Sequence, residues 1–287
     1  YGDTDSIFVN FNAKDKDGNI LKGKEGLKAS IDLGVQAEEY IKGFLKPPHD
    51  LEYEKTFWPF ILFSKKRYIG HKYEFDLDKY KQTSMGIVLK RRDNAEIVKH
   101  VYGGVIDIIM NEKNIEKSIT FLKDECRKLL NGKFPMDKLI ITKSLRGFYK
   151  NPDQIAHKVL ADRMGKRDPG NKPSSNDRIP YVYMETNAKK GEKVLQGNRI
   201  EHPQYITDNN LNPDYKFYIT NQIMKPVGQI YALIVEQLNG YNKPKGYFER
   251  KYKTLKNERG EFKAKNKIID LRHAEASKIL FDDVLRV

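Results

Sequence analysis

Asp3 and Asp5 stand one residue apart in Tyr1-Gly2-Asp3-Thr4-Asp5-Ser6, directly before the apolar alternation Ile7-Phe8-Val9-Asn10-Phe11. Carboxylates at i and i+2 of an extended chain point to the same side, so the pair is expected to converge on hard divalent cations, which prefer oxygen ligands. The chemistry suggested is metal-assisted phosphoryl transfer. On the same reading Ile7, Val9 and Phe11 continue along one face of a strand. An Asp-x-Asp taken alone is equally a solvated turn whose carboxylates cap backbone amides. The strand that pairs with residues 6 to 11 is expected upstream and no Met precedes Tyr1, so the chain reads as the back part of something larger.

Elements that could position such a pair come directly after it. Leu27, Ile31, Val35, Glu38, Ile41 and Leu45 are spaced mostly as one helix, and Pro47-Pro48 stops it. Leu51 to Tyr73 is rich in aromatic and β-branched residues and reads as strands, with Pro59 marking an edge or a bend. At its end lies Lys65-Lys66-Arg67-Tyr68-Ile69-Gly70, whose plain reading is a charged strand edge that discourages pairing. After about Met85 the texture becomes helical. Val98, Val101, Tyr102, Val105 and Ile109 form one stripe, and Ile115, Ile119, Leu122, Cys126 and Leu129 a second. Arg91-Arg92-Asp93-Asn94 precedes the first stripe, where Asp93 or Asn94 could cap a helix. A third helix is expected with Asn151 as N-cap and Pro152 at its first position, and a fourth from about Gln222 to Leu238 after Pro226. Between them a polar loop at 168–177 leads into the apolar run Ile179 to Tyr183.

Composition narrows the partners. The 287 residues carry 53 Lys+Arg against 39 Asp+Glu, a net charge of +14, which favours a polyanion, nucleic acid before membrane. No stretch nears the roughly 18 apolar residues of a membrane span, and no signal-peptide pattern or Asn-x-Ser/Thr acceptor occurs, so an intracellular, non-secreted protein is expected. Cys126 is the single cysteine, which excludes a disulfide and a Cys-based zinc site within the chain. Residues 243 to 267 hold ten Lys/Arg against three Glu, seven of the fourteen excess charges, and read as a solvated extension, a template contact or a docking segment.

The full string Tyr-Gly-Asp-Thr-Asp-Ser followed by an apolar strand resembles motif C of the family B DNA polymerases. Leu51-Glu52-Tyr53-Glu54-Lys55 to Tyr68-Ile69-Gly70 resembles the palm segment around that family's Lys-Lys-Arg-Tyr motif. Arg91-Arg92-Asp93 resembles the start of its thumb. Ile141-Thr142-Lys143-Ser144-Leu145, Tyr149-Lys150-Asn151-Pro152, His157, Ala161-Asp162-Arg163-Met164, Asp177 to Val182 and Tyr215 to Ile223 are similar to the thumb of the eukaryotic replicative and large-DNA-virus branch. The family often has Gly before the Asp-x-Ile-x-Tyr-Val string, where Asn176 stands here. The resemblance implies an α+β chain: the C-terminal portion of a palm over 1–85, a mainly helical thumb over 86–240 and a basic extension over 241–287.

It also implies roles. Asp5 bridges two Mg²⁺ ions shared with a motif A Asp, Asp3 acts more through its field and water, and Thr4 lies beside the incoming nucleotide. Lys65, Lys66, Arg67 and Tyr68 follow the minor groove of the primer-template duplex, Arg91 and Arg92 reach that duplex, and Thr142 and Lys143 hold phosphates. His157 is expected to be structural. The partners implied are primer-template DNA, deoxynucleoside triphosphates and the missing front part of the polymerase, in cis or as a second chain; the basic tail offers a dock for a processivity factor. The place implied is the nucleus or a viral replication site. Motif A and the finger helix are not in these residues, so the chain alone is expected to bind DNA without polymerising. The competing readings are a non-catalytic duplex-binding module, one chain of a split polymerase, and the hairpin of an RNA-templated polymerase, the last opposed by the Lys65 to Tyr68 and Arg91 strings.

Overall fold

The computed structural model describes residues 1–186 and 194–286, the side chain of Lys90 excepted. The expected thumb range includes 187–193, and the expected basic extension includes Val287; these lie outside the described residues. The chain is α+β and divides into two compact units, Tyr1–Lys90 and Arg91–Val287.

In the first unit a short hairpin, β1 (Gly2–Asp3) and β2 (Ser6–Ile7), precedes helix α1 (Gly23–Lys42) and an antiparallel sheet of β3 (Thr56–Ser64), β4 (Arg67–Tyr73) and β5 (Lys81–Met85) in that order. The helix lies where its apolar spacing places it, and Leu27 and Ile31, four residues apart on one face, pack with Tyr73, Tyr53, Trp58 and Leu77. Tyr53 ties helix to sheet: its N–H donates to Glu38 Oε2 at 2.7 Å and its hydroxyl donates to the Glu74 carbonyl at 2.9 Å. Pro59 sits on edge strand β3, where the register with β4 breaks between Phe57 and Phe60, so the missing N–H leaves no central ladder bond open. Strands β3 and β4 turn through Lys65-Lys66, since Ser64 pairs with Arg67.

The second unit is built on α2 (Glu96–Asp107) and α3 (Ile115–Leu130); of the predicted stripes Val98, Val101, Tyr102 and Val105 on α2 and Leu122, Cys126 and Leu129 on α3 are buried, whereas Ile115 and Ile119 are half-buried and Ile109 falls in the π turn after α2. Burial pushes the Cys126 thiol up to about 12, so it packs as an inert apolar group. A small antiparallel sheet of β6 (Ile141–Ser144), β7 (Arg178–Tyr183) and β8 (Ile200–Glu201) lies beside α4 (Ala156–Arg167). The short helix α5 (Pro203–Asp208) comes after β8.

Three expectations are corrected here. Asn151 does not cap a long helix; Pro152–Gln154 make a single 3₁₀ turn and α4 begins at Ala156 with no side-chain cap. The fourth helix does not begin after Pro226. It starts as α6 (Tyr215–Phe217), capped by Asp214 Oδ1 on the Phe217 N–H at 2.8 Å, widens to a π turn over Tyr218–Ile223 and continues as α7 (Met224–Ala232) with Pro226 inside. The π turn immediately before Pro226 shifts the ladder where the proline supplies no N–H. Finally, the basic extension is no solvated tail: α8 (Tyr247–Arg259) and α9 (Glu261–Leu285) form a helical hairpin, and Ala276, Leu280, Phe281 and Val284 of α9 are buried, with α9 packing on α7 and α3.

Candidate functional site

Gly2 pairs with Ile7 and Asp3 with Ser6, which leaves Thr4-Asp5 as a two-residue turn, Thr4 at φ 52. The expectation of two carboxylates on one face of an extended strand is therefore corrected: Asp3 is on β1 and Asp5 is in the turn. Folding back satisfies main-chain groups that an extended 1–11 segment leaves open, and the ladder continues where the Phe8 N–H donates to the Tyr1 carbonyl at 2.6 Å. Nor do Ile7, Val9 and Phe11 make a packed face; Ile7 is 60% and Val9 57% exposed. Phe8 turns inward instead. Its ring lies 5.4 Å from Tyr1, 5.9 Å from Phe57, 5.6 Å from Phe60 and 5.4 Å from Tyr68. At about 0.5–1.5 kcal/mol for each well-placed aromatic pair, this cluster is what holds the Asp-bearing hairpin against β3 and β4.

That clamp brings two of the sequence strings together. The phenol oxygen of Tyr1 accepts the Lys66 N–H at 2.6 Å, and Lys66 Nζ lies 3.3 Å from Asp3 Oδ1. Lys66 is left-handed at φ 60. Gly86, at φ +63, closes the other side of the turn so tightly that a Cβ there would stand 2.3 Å from the Lys66 carbonyl oxygen. Arg67 Nε donates to the Gly86 carbonyl at 3.3 Å. Lys65 is exposed at the tip, and the Tyr68 ring belongs to the aromatic cluster. Tyr1 and Gly86 are the contributors that sequence reasoning missed; a Gly just after a strand was the available signal for the second.

The donor set can be tested against a divalent ion. Asp5 is exposed and has no hydrogen-bond or ion-pair partner among the described residues. The Asp3 side chain is 14% exposed, and its Oδ1 takes the Thr4 hydroxyl at 3.3 Å as well as the Lys66 ammonium. Two carboxylates suit the oxygen preference of Mg²⁺. Among the described residues no group of three or more metal-ligating side chains occurs, so Asp3 and Asp5 by themselves are not a complete cage.

In the second unit Arg91 is engaged by Asp93, through Nε at 3.0 Å and Nη2 at 2.9 Å, and Arg92 is exposed. Neither Asp93 nor Asn94 caps α2, whose N-cap is Ala95 with no side-chain bond. The Arg91 guanidinium holds the Asp93 carboxyl below the usual carboxylate range, with Lys143 adding to the effect. Asp93 also lines a cleft of about 400 Å³ with Thr142, Lys143, Ser144, Arg146 and Arg178. Arg178, on the neighbouring strand, donates to Thr142 Oγ1 at 2.6 Å and Ser144 Oγ at 3.2 Å. Lys143, Arg146 and Arg178 outnumber the single acid of this lining. His157 at its edge meets the Tyr149 hydroxyl at 3.0 Å, and burial together with Lys143 lowers its pKa. Arg178 was not singled out from the sequence because its company on β6 is made across the sheet, and Arg146, just past the end of β6, joins the cleft only through the fold.

With this geometry in view, comparison with known proteins is informative. The family model described as DNA polymerase family B matches residues 1–234. A DNA polymerase of Pyramimonas orientalis virus is 57% identical over 287 residues, 99% of this chain and 24% of that protein. A DNA polymerase of Acanthamoeba polyphaga mimivirus is 51% identical over 235 residues, 81% of this chain and 14% of that protein. The DNA polymerase delta catalytic subunit of Candida albicans is 34% identical over 235 residues, 82% of this chain and 21% of that protein. The chain thus spans about a quarter or less of the curated relatives it matches.

Proposed function

The chain belongs to DNA polymerase family B, and from that premise we propose that it supplies the motif C carboxylates and the primer-template grip for template-directed nucleotidyl transfer. One observation carries the reading: Lys66 Nζ stands 3.3 Å from Asp3, so a cation of the duplex-contact turn and a carboxylate of the metal pair share one place. Residues 1–85 act as the end of a palm and 86–240 as a thumb.

Asp5, without a partner among the described residues, would be the metal ligand; Asp3 shapes the field beside it while restrained by Thr4 and Lys66. When bound, two Mg²⁺ ions supply the charge compensation that phosphoryl transfer needs, shared with a carboxylate from another segment of the longer protein. Thr4, at the turn, faces the nucleotide side. Lys65 and Lys66 present ammonium donors to minor-groove acceptors, which every base pair offers, so the duplex is held by shape and not by sequence. Thr142 and Lys143, with Arg178 behind them, hold backbone phosphates by hydroxyl and charge. Arg91 can reach the duplex only by leaving Asp93, and Arg92 is the freer of the two. Deoxynucleoside triphosphates and primer-template DNA are the substrates, at the site where the genome is copied.

Because the chain is about a quarter of its viral relative's length, polymerisation belongs to the longer protein. The test is to mix the 287-residue chain with labelled primer-template, Mg²⁺ and nucleotides, reading binding by anisotropy and extension on a gel. Binding without extension is expected. Extension by the chain alone would refute its incompleteness, and absence of binding would refute the grip. Mn²⁺ titration followed by electron paramagnetic resonance separates the non-catalytic alternative: Asp5→Asn weakens Mn²⁺ binding if the carboxylates serve a metal and leaves it unchanged if the chain is only a duplex binder.

A further inference from the structure

The family match ends at residue 234, yet the viral relative aligned over 99% of the chain shares the C-terminal segment beyond it. That segment folds as the α8–α9 hairpin. Phe248 and Leu255 of α8 and Ala264 of α9 are buried, and Phe248 is braced by the Tyr241 ring and by Arg272, whose guanidinium lies 4.6 Å from the Phe248 ring centre. The seam between the helices is therefore apolar and closed. The large apolar side chains left exposed on the hairpin are Phe262 and Ile269, at 78% and 50%, seven positions apart among polar and charged neighbours.

The basic excess lies in 243–267, where ten Lys/Arg face Glu249, Glu258 and Glu261; among the described residues only Lys243, Lys256 and Lys265 of the ten have a carboxylate within reach, Glu275 for the first and Glu261 for the other two. Lys245, Arg250, Lys251, Lys253, Arg259, Lys263 and Lys267 have no acid partner among the described residues; Arg250 donates only to the Lys245 carbonyl, at 2.7 Å. Seven cations without an ion pair, set against Glu249 and Glu258 on the same stretch, leave a net basic surface that suits a polyanion. Eight of the ten are lysines, and ammonium groups on long stems act as point charges without the fork geometry that reads bases. Lys263 and Lys267 are one turn apart on α9, about 6 Å along its axis, and so face the same way.

We propose that the α8–α9 hairpin is a second, sequence-neutral binding site for duplex DNA, engaging its phosphate backbone through Lys263 and Lys267 on one face of α9 and through Lys251 or Lys253, which stand on opposite sides of α8, apart from the residues of the Lys66 turn and the Lys143 cleft. It rests on the polymerase reading only for the presence of DNA. Two lone apolar side chains among lysines are too little for a protein interface, whose core is depleted of charge.

The experiment compares the 287-residue chain with the variant carrying Lys251→Gln, Lys253→Gln, Lys263→Gln and Lys267→Gln, reading anisotropy of a labelled duplex of about 30 base pairs across a salt series. All four lysines are exposed, so the far-ultraviolet spectrum and melting temperature serve to show that the fold is kept. The slope of log K against log salt is expected to become shallower by about 0.9 for each phosphate no longer neutralised, up to about 2.7 for three, with binding at least about tenfold weaker near 0.1 M salt. Unchanged affinity and slope overturn the proposal, whatever else the hairpin binds. Lys66→Ala run beside it separates the two claims: a loss with Lys66→Ala alone sinks the hairpin site and keeps the palm grip, and a loss with the lysine variant alone does the reverse.

Discussion

Replacing Lys66 with Ala removes one ammonium group from the turn beside Asp3, and its consequences can be worked out before measurement. The ion pair with Asp3 is 3.3 Å long but the Lys66 side chain is 54% exposed, so solvent screens it and its contribution to stability is about 0.2–1 kcal/mol. Alanine keeps the Cβ, so the left-handed backbone at φ 60 is no more strained than before, and the Lys66 N–H bond to Tyr1 is a main-chain bond that survives. The unfolding free energy should therefore fall by less than about 1 kcal/mol. DNA binding responds differently. Each phosphate neutralised by a lysine releases counterions and contributes about 0.9 to the slope of log K against log salt. Between about 50 and 200 mM salt the unaltered chain should lose about 3.5-fold more affinity than Lys66→Ala, the two converging as salt rises. Anisotropy titrations of a labelled primer-template over a series of salt concentrations measure this, and Lys16→Ala, an equal loss of charge on an exposed loop, serves as the control. Parallel salt lines for Lys66→Ala and the unaltered chain would refute the assignment of this turn to the duplex.

Two further outcomes come from the geometry. Gly86→Ala combines a left-handed backbone, costing about 1–2 kcal/mol, with a Cβ 2.3 Å from the Lys66 oxygen, whereas Gly18→Ala at φ +86 meets nothing within 4 Å; urea unfolding should show Gly86→Ala to be clearly the more destabilising, and equal losses would contradict the close turn. His157 and His202 both have lowered pKa values, chiefly through burial, so below about pH 6.5 the unfolded chain binds protons more readily than the folded one and stability falls with pH. The urea midpoint should accordingly be lower at about pH 5.5 than at about pH 7.5, and His157→Gln should reduce the difference; a higher midpoint on the acid side would refute the burial account.

Periodic apolar spacing made α1, α2 and α3 readable, because each buries a stripe that its own residues define, whereas the short unbroken apolar run Ile179 to Tyr183 carries no period that names it a strand. The turns were harder. Thr4-Asp5 and Lys65-Lys66 contain neither Gly nor Asn, and a left-handed Thr4 or Lys66 is set by what surrounds it, namely the aromatic cluster on one side and Gly86 on the other. Charge also hid structure: α8 carries its buried Phe248 and Leu255 among so many lysines that composition outweighed spacing. At the sites, the residue types were legible while their company was not. Asp3 meets Lys66 across sixty-three positions and Arg178 meets Thr142 across thirty-six, contacts that only sheet register and side-chain packing create.

The phenol of Tyr1 ties the open end of the β1–β2 hairpin to the β3–β4 turn, 65 residues away in the chain. Because that link ends on a main-chain N–H, it holds the Asp-bearing hairpin to the β3–β4 turn independently of the Lys66 side chain, whose ion pair with Asp3 is a separate tie.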